Sequence, residues 1–218
     1  NPTESRFVLT RCGDDLFSID AASPREAHAL ALRLREAGEW LEVVAGIDTV
    51  ILRFDAARQD ALDASRVIRS AIAADLDTTE RPGKRIEIPV VYGGDFGPDL
   101  DELSEVTGMA VADLIEKHTS RDYEVEMVGF TPGFAFIGGL DECFRMPRRK
   151  EPRQQVAAGS VGIADGRTGL YAMASPGGWN IIGRTPCKLF DAAAEEPFAL
   201  AVGMRVRFKA IDADEYEQ

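Results

Sequence analysis

The first 85 residues alternate between an extended period and a helical one. Phe7–Arg11 and Leu16–Asp20 are short extended runs, and Gly13-Asp14 between them is a hairpin signal. In "SPREAHALALRLREAG" the apolar residues Ala27, Leu30, Ala31 and Leu34 recur at helical spacing. Ser23 is the expected N-cap, Pro24 suits the first helical position, Glu26 completes a capping box, and Gly38 ends the helix. His28 falls inside this helix and is expected to face solvent. "LEVVAGIDTVILRF" reads as strand, Gly-Ile-Asp turn, strand, and "QDALDASRVIRSAIAAD" as a second helix carrying Leu62, Ile68 and Ile72. One sheet covered by two helices, a small α/β sandwich, is the predicted result.

"RIEIPVVY" opens a new strand after the polar, Pro-Gly-containing "TTERPGK", residues 78–84. The domain boundary is placed there, giving residues 1–84 and 85–218. Two short helices are predicted over 99–120, in "DLDELSEVTG" and "VADLIEKHTS". Beyond residue 122 short apolar runs are separated by Gly and Pro: "YEVEMVGF", "FAFIG", "SVGIAD", "LYAMAS", "WNIIG" and "RVRFKA". That rhythm predicts an all-β barrel or sandwich, so the fold class of the whole is α+β.

Composition narrows the function. The net charge of −12 argues against nucleic acid and anionic membranes, because phosphate binding needs a basic footprint. Against that background "RMPRRK" (145–150) with Arg153 is a local basic cluster, either a solvated loop or a subsite where guanidinium forks bind a carboxylate. No window is apolar enough for a transmembrane helix, and "NPTESRFVLT" does not read as a signal peptide. Cys12, Cys143 and Cys187 are odd in number, far apart and in no CxxC pair, which supports neither a disulfide framework nor a zinc site. A reducing cytoplasm is the expected compartment.

"EMVGFTPGFAFIGGL" (126–140) and "ASPGGWNIIG" (174–183) interleave aromatics with glycines. Glycine lets backbones approach closely, and the aromatics then either fill space or line a pocket. In Pro176-Gly177-Gly178-Trp179 the bare N–H groups after the proline could also form an anion nest. No Walker loop, His-Glu metal pattern or complete catalytic triad is visible. Ser160 is read as a hydroxyl bonded to a turn backbone in preference to a nucleophile. His118, at the end of "LIEKHTS", is either a C-capping residue or an acid/base group.

Four ordered segments, "IPVVYGGDFGPDL" (88–100), "VGFTPGFAFIGGL" (128–140), "PRRKEPRQQVAAGSVGI" (147–163) and "TGLYAMASPGGWNIIGRTP" (168–186), closely resemble the allophanate hydrolase subunit 1 family. Its members include the B subunit of bacterial ATP-dependent 5-oxoprolinase and a sporulation-kinase inhibitor, and a related domain occurs in urea carboxylase. The resemblance implies a cyclophilin-like β-barrel for the C-terminal part. It implies one component of an ATP-dependent 5-oxoprolinase, inactive alone, which opens a lactam to glutamate with ATP shared among subunits. The implied partners are a subunit 2-type (C-like) relative and a further oxoprolinase subunit. A regulator of a sensor histidine kinase and a urea carboxylase- or allophanate hydrolase-type subunit are the alternatives it leaves open. Phe136, Ala157 and Ala172 depart from the usual Tyr, Pro and Pro of the pattern.

The match at His118 favours a functional role for it, and His118, Arg148 and Arg153 are the expected catalytic groups. Phe130, Pro132, Gly159, Ser160, Tyr171, Gly177, Gly178 and Trp179 are the expected substrate-binding residues, and no metal ligands are expected. His118 and both arginines are expected to converge near Trp179, with substitution of His118 sparing stability.

Overall fold

A computed structural model describes residues 7–73, 76 and 83–216. The chain divides into two compact units, Asn1–Arg81 and Pro82–Gln218. The linker expected over 78–84 lies, apart from Gly83 and Lys84, outside the described residues.

In the first unit, β1 (Leu9–Arg11), β2 (Leu16–Asp20), β3 (Glu42–Ala45) and β4 (Thr49–Arg53) form an antiparallel sheet in the order β1-β2-β4-β3. Helices α1 (Pro24–Ala37) and α2 (Ala61–Ile72) supply Leu30, Leu34, Ile68 and Ile72 to the core, against Ile19, Val50 and Leu52 from the strands. The α1 start matches its sequence signal: Ser23 Oγ accepts the Glu26 N–H at 3.2 Å. Glu26 reaches back one residue further than a capping box requires, accepting from Ala22 N at 2.6 Å. Gly38 does end α1, but in an extended conformation, and the indole Nε1 of Trp40 donates to the Leu34 carbonyl at 2.6 Å. His28 is half-buried, and burial lowers its pKa.

The second unit is a closed barrel. Its strands are β5 (Arg85–Tyr92), β6 (Asp122–Val128), β7 (Ala135–Gly138), β9 (Ser160–Ala164), β10 (Arg167–Leu170), β12 (Asn180–Arg184) and β13 (Arg205–Ala210). The order round the barrel is β10-β7-β6-β13-β5-β12-β9, with only β5–β13 parallel. Strands β8 (Arg153–Val156) and β11 (Ser175–Gly177) stand apart as a two-stranded ribbon. The run "LYAMAS" is not one strand: β10 ends at Leu170 and β11 begins at Ser175.

Alternate residues point into the barrel. Ile88, Val90, Ala135, Ile137, Val161, Ile163, Val206 and Phe208 share one core with Leu100 and Leu103 of α3 (Leu100–Thr107) and Leu114 of α4 (Val111–Thr119). The turn leading into α3 is fixed by close backbone contact, since the Gly97 amide donates to Gly93 O at 2.9 Å and a Cβ at 97 would overlap the Ile182 carbonyl. Gly97→Ala is expected to cost about 1–3 kcal/mol in urea unfolding, because backbone on both sides must shift. A wild-type midpoint would show that the turn relaxes freely.

Candidate functional site

Asp99 precedes α3 but does not cap it with its side chain. Its carboxylate is buried and accepts Arg149 Nη1 at 2.8 Å, Arg153 Nη1 and Nη2 at 2.8 Å each, and Ile181 N at 2.6 Å. Arg153 thus makes the bidentate pairing that a guanidinium fork prefers, and its pKa is raised, first by that hydrogen bond. One carboxylate therefore ties the basic segment 147–153 to β12 and to the start of α3.

Residues on the outward side of the barrel wall form a separate aromatic layer. Phe134 lies edge-on to Tyr171 at 4.9 Å and to Trp179 at 5.7 Å, and Phe136 packs on Phe134 at 4.7 Å. Gly169 of β10 makes the slot: a Cβ there would meet Phe134 Cζ at 2.7 Å and Trp179 Cε3 at 3.0 Å. The interleaving of aromatics and glycines is therefore first a packing device. Phe136 also lies edge-on to Trp179 at 5.7 Å.

Arg148 sits at the edge of this layer, with Cζ 5.8 Å from the Trp179 ring centroid. Its pair with Asp165 at 3.2 Å is exposed and contributes little. Gly177 pairs with Arg153 across the ribbon and abuts the Tyr171 hydroxyl, and Gly178 O accepts the Arg149 amide at 2.7 Å. Segments 129–136, 147–153 and 169–181 thus meet on one side of the barrel. Arg148, Arg153, Tyr171, Gly177, Gly178 and Trp179 come together there. Tyr171 and Trp179 are buried and not open walls.

Phe130 is the exposed member, 73% accessible, with its ring 5.7 Å from Phe134. Its φ of 73° is the left-handed region, which costs a residue with a side chain roughly 1 kcal/mol or more. Pro132 is exposed at the tip of the same turn, which is closed by Phe134 N donating to Thr131 O at 3.0 Å. Gly133 sits against Ala172 and Phe190, so this turn is continuous with exposed Met173 and, through the Phe190–Phe198 ring pair, with exposed Phe198.

Three expectations are corrected. Gly159 offers no free amide: it donates to Tyr171 O at 2.7 Å. Ser160 is buried, its amide directed to Ala157 O at 3.3 Å and its carbonyl accepting Tyr171 N at 3.0 Å. His118 does not join the arginines. It is buried, stacked on Phe208 at 4.4 Å and ringed by Tyr92, Tyr123 and Phe144. Its Nδ1 meets Tyr92 Oη at 2.6 Å and its Nε2 meets Thr168 Oγ1 at 3.0 Å. Burial lowers its pKa to about 3, so it stays neutral at ordinary pH. A signal was present in the sequence: Val111, Leu114 and His118 fall on one helical stripe. Asp99 and Arg149 were missed because an acid before a helix reads as an N-cap and the middle of "RRK" as a solvated side chain.

Residues 2–200 match the family described as carboxyltransferase domain, subdomain C and D. The chain belongs to this family. It is 40% identical over 190 residues to the 5-oxoprolinase B subunit of Escherichia coli O157:H7, covering 87% of each chain. It is 43% identical over 145 residues to the 5-oxoprolinase B subunit of Bacillus subtilis strain 168, covering 66% of this chain and 59% of that one. A solved structure of a conserved uncharacterized protein from Pyrococcus horikoshii is 38% identical, with a TM-score of 0.60, covering 96% of this chain and all of the other. Urea carboxylase of Kluyveromyces lactis shares the fold, with a TM-score of 0.77 at 18% identity, over 97% of this chain and 22% of that one. Among the described residues no helix is long and apolar enough to cross a membrane, and no cluster of His, Cys, Asp and Glu is arranged to hold a metal ion.

Proposed function

We propose that this chain is the B subunit of a cytoplasmic, ATP-dependent 5-oxoprolinase and that its outer aromatic and cationic face contributes to a site shared with partner subunits. The carrying observation is that the family motifs meet on that face, in a chain with two 5-oxoprolinase B subunits among its relatives at 40–43% identity. Opening 5-oxoproline consumes ATP and water and yields glutamate, ADP and phosphate. Phosphorylating the lactam oxygen makes the ring carbon electrophilic, and that step needs cations and hydrogen-bond donors around the oxygens. Arg148 suits this role, being exposed at the edge of Trp179 with only a weak ion pair to give up. The sequence has no Gly-Lys phosphate loop, so in this reading the partner subunits hold most of the ATP. The exposed apolar patch of Phe130, Met173 and Phe198 supports docking of the C-like relative.

Coexpression with the products of neighbouring genes tests the proposal. The single chain is expected to show no 5-oxoproline-dependent ATP hydrolysis, and the complex to elute as one larger species that has it. Arg148→Ala is expected to lower the activity of the complex at least tenfold while leaving chain stability within about 0.5 kcal/mol. Robust activity from the single chain, or turnover of urea or allophanate in place of 5-oxoproline, overturns the reading.

A further inference from the structure

Five buried side-chain N or O atoms among the described residues lack a hydrogen-bond partner: Thr131 Oγ1, Arg149 Nε, Tyr171 Oη, Ser175 Oγ and Arg184 Nε. Unpaired buried polar atoms are rare in folded proteins, and each calls for an explanation. The residues that carry four of the five are linked by backbone and ring contacts on one face of the barrel unit. Tyr171 Oη lies against the bare face of Gly177, where a Cβ would overlap it. Ser175 is two residues earlier on the same strand. The Arg149 amide donates to the carbonyl of the next residue, Gly178. Thr131 closes the turn onto Phe134, whose ring packs on Tyr171. Burial raises the pKa of the Tyr171 phenol and keeps it protonated.

All four atoms can donate, and Arg149 Nε can do nothing else. Arg149 Nε requires an acceptor, and an acceptor-rich group satisfies the three hydroxyls as well. We infer that Thr131, Arg149, Tyr171 and Ser175 form a donor set for an oxyanion-bearing small molecule, a carboxylate or phosphate, bound beneath the β8–β11 ribbon. The inference rests on the reading of this face as a small-molecule site and adds atoms to it: the phenol hydroxyl of Tyr171 as opposed to its ring, and three residues that the sequence did not single out. The ribbon belongs to neither the barrel nor the first sheet, its strands are three and four residues long, and its register shifts between Ser175 and Gly177. The Asp99 pair of Arg153, the first residue of β8, ties it to the barrel unit.

The test uses the coexpressed complex and three probes: 5-oxoproline, glutamate and inorganic phosphate. Tyr171→Phe deletes an unpaired hydroxyl, so its midpoint of thermal unfolding without ligand is expected to stay within about 1 °C of wild type or to rise. The same variant is expected to bind the preferred probe about tenfold or more weakly and to lose the thermal shift that the probe gives wild type. Thr131→Val and Ser175→Ala are expected to behave alike with smaller losses. A drop of several degrees without ligand shows that the hydroxyl has an internal partner and overturns the inference. Unchanged binding by Tyr171→Phe overturns it too, as does a wild-type complex that none of the three probes stabilises. If phosphate alone stabilises wild type and Tyr171→Phe loses that shift, the donor set stands and the 5-oxoproline reading falls.

Discussion

Asp99→Ala is expected to destabilise the barrel unit by about 3 kcal/mol, more than any other single change on the candidate face. The carboxylate accepts four hydrogen bonds, three from guanidinium nitrogens and one from the Ile181 amide. Removing it leaves two like charges facing each other and an amide in the barrel wall without an acceptor. Breaking a buried ion pair from one side costs about 3–5 kcal/mol, and the lower end applies because both arginines are partly open to water. Asp99→Asn keeps one acceptor for the Ile181 amide and is expected to lose about half as much. Urea unfolding measures the loss. Hydrogen exchange locates it, with amides of Arg153–Val156 and Ser175–Gly177 expected to exchange faster than those of β5 and β13. A wild-type urea midpoint for Asp99→Ala would mean that the arginines find other partners and that the ribbon is held by something else.

That hub marks the division between what the sequence discloses and what it hides. Periodicity and capping chemistry are local, so the Ser23 cap, the α1 stripe and the four strands of the first sheet are readable from short windows. Turn rhythm likewise announces a β-rich second half. Closure of the barrel depends on β5 pairing in parallel with β13, which follows from no local pattern. The ribbon was missed for a related reason: strands of three and four residues are too short to show alternation, and "LYAMAS" mixes the end of one strand with the start of another. At the site the Gly-aromatic motifs were legible because they break ordinary composition. Their convergence was expected because the motifs are separated and each is costly to fold, glycine weakening a strand. Asp99 was not, since one acidic residue serves as a helix cap or an ion-pair hub with the same neighbours in sequence.

His118 shows the same limit and carries the second large effect. The chain has two histidines, and His118 is the fully buried one. Its pKa falls from 6.5 in the unfolded chain to about 3 in the fold, with burial as the cause. The unfolded state therefore takes up a proton that the folded state refuses. Stability from this residue is fully present above pH 6.5. It declines by about 1.4 kcal/mol for each unit below that, until the folded residue itself titrates near pH 3. Between pH 7 and pH 5 the expected loss is about 2 kcal/mol. The hydroxyls around it do not blur the effect: burial raises the pKa of Tyr92 well above its usual value and that of Tyr123 to about 12, so both stay neutral throughout. His28 contributes a smaller effect of the same sign, and His28→Ala serves as the control. His118→Ala opens a cavity and strands Tyr92 Oη and Thr168 Oγ1, at an expected cost of about 3–5 kcal/mol at pH 8. The same variant is expected to lose most of the slope between pH 6.5 and pH 5 in urea unfolding. Any fall in the activity of its complex should follow the unfolded fraction. A His118→Ala chain as stable as wild type and inactive when folded would restore His118 to the chemistry and remove it from the architecture.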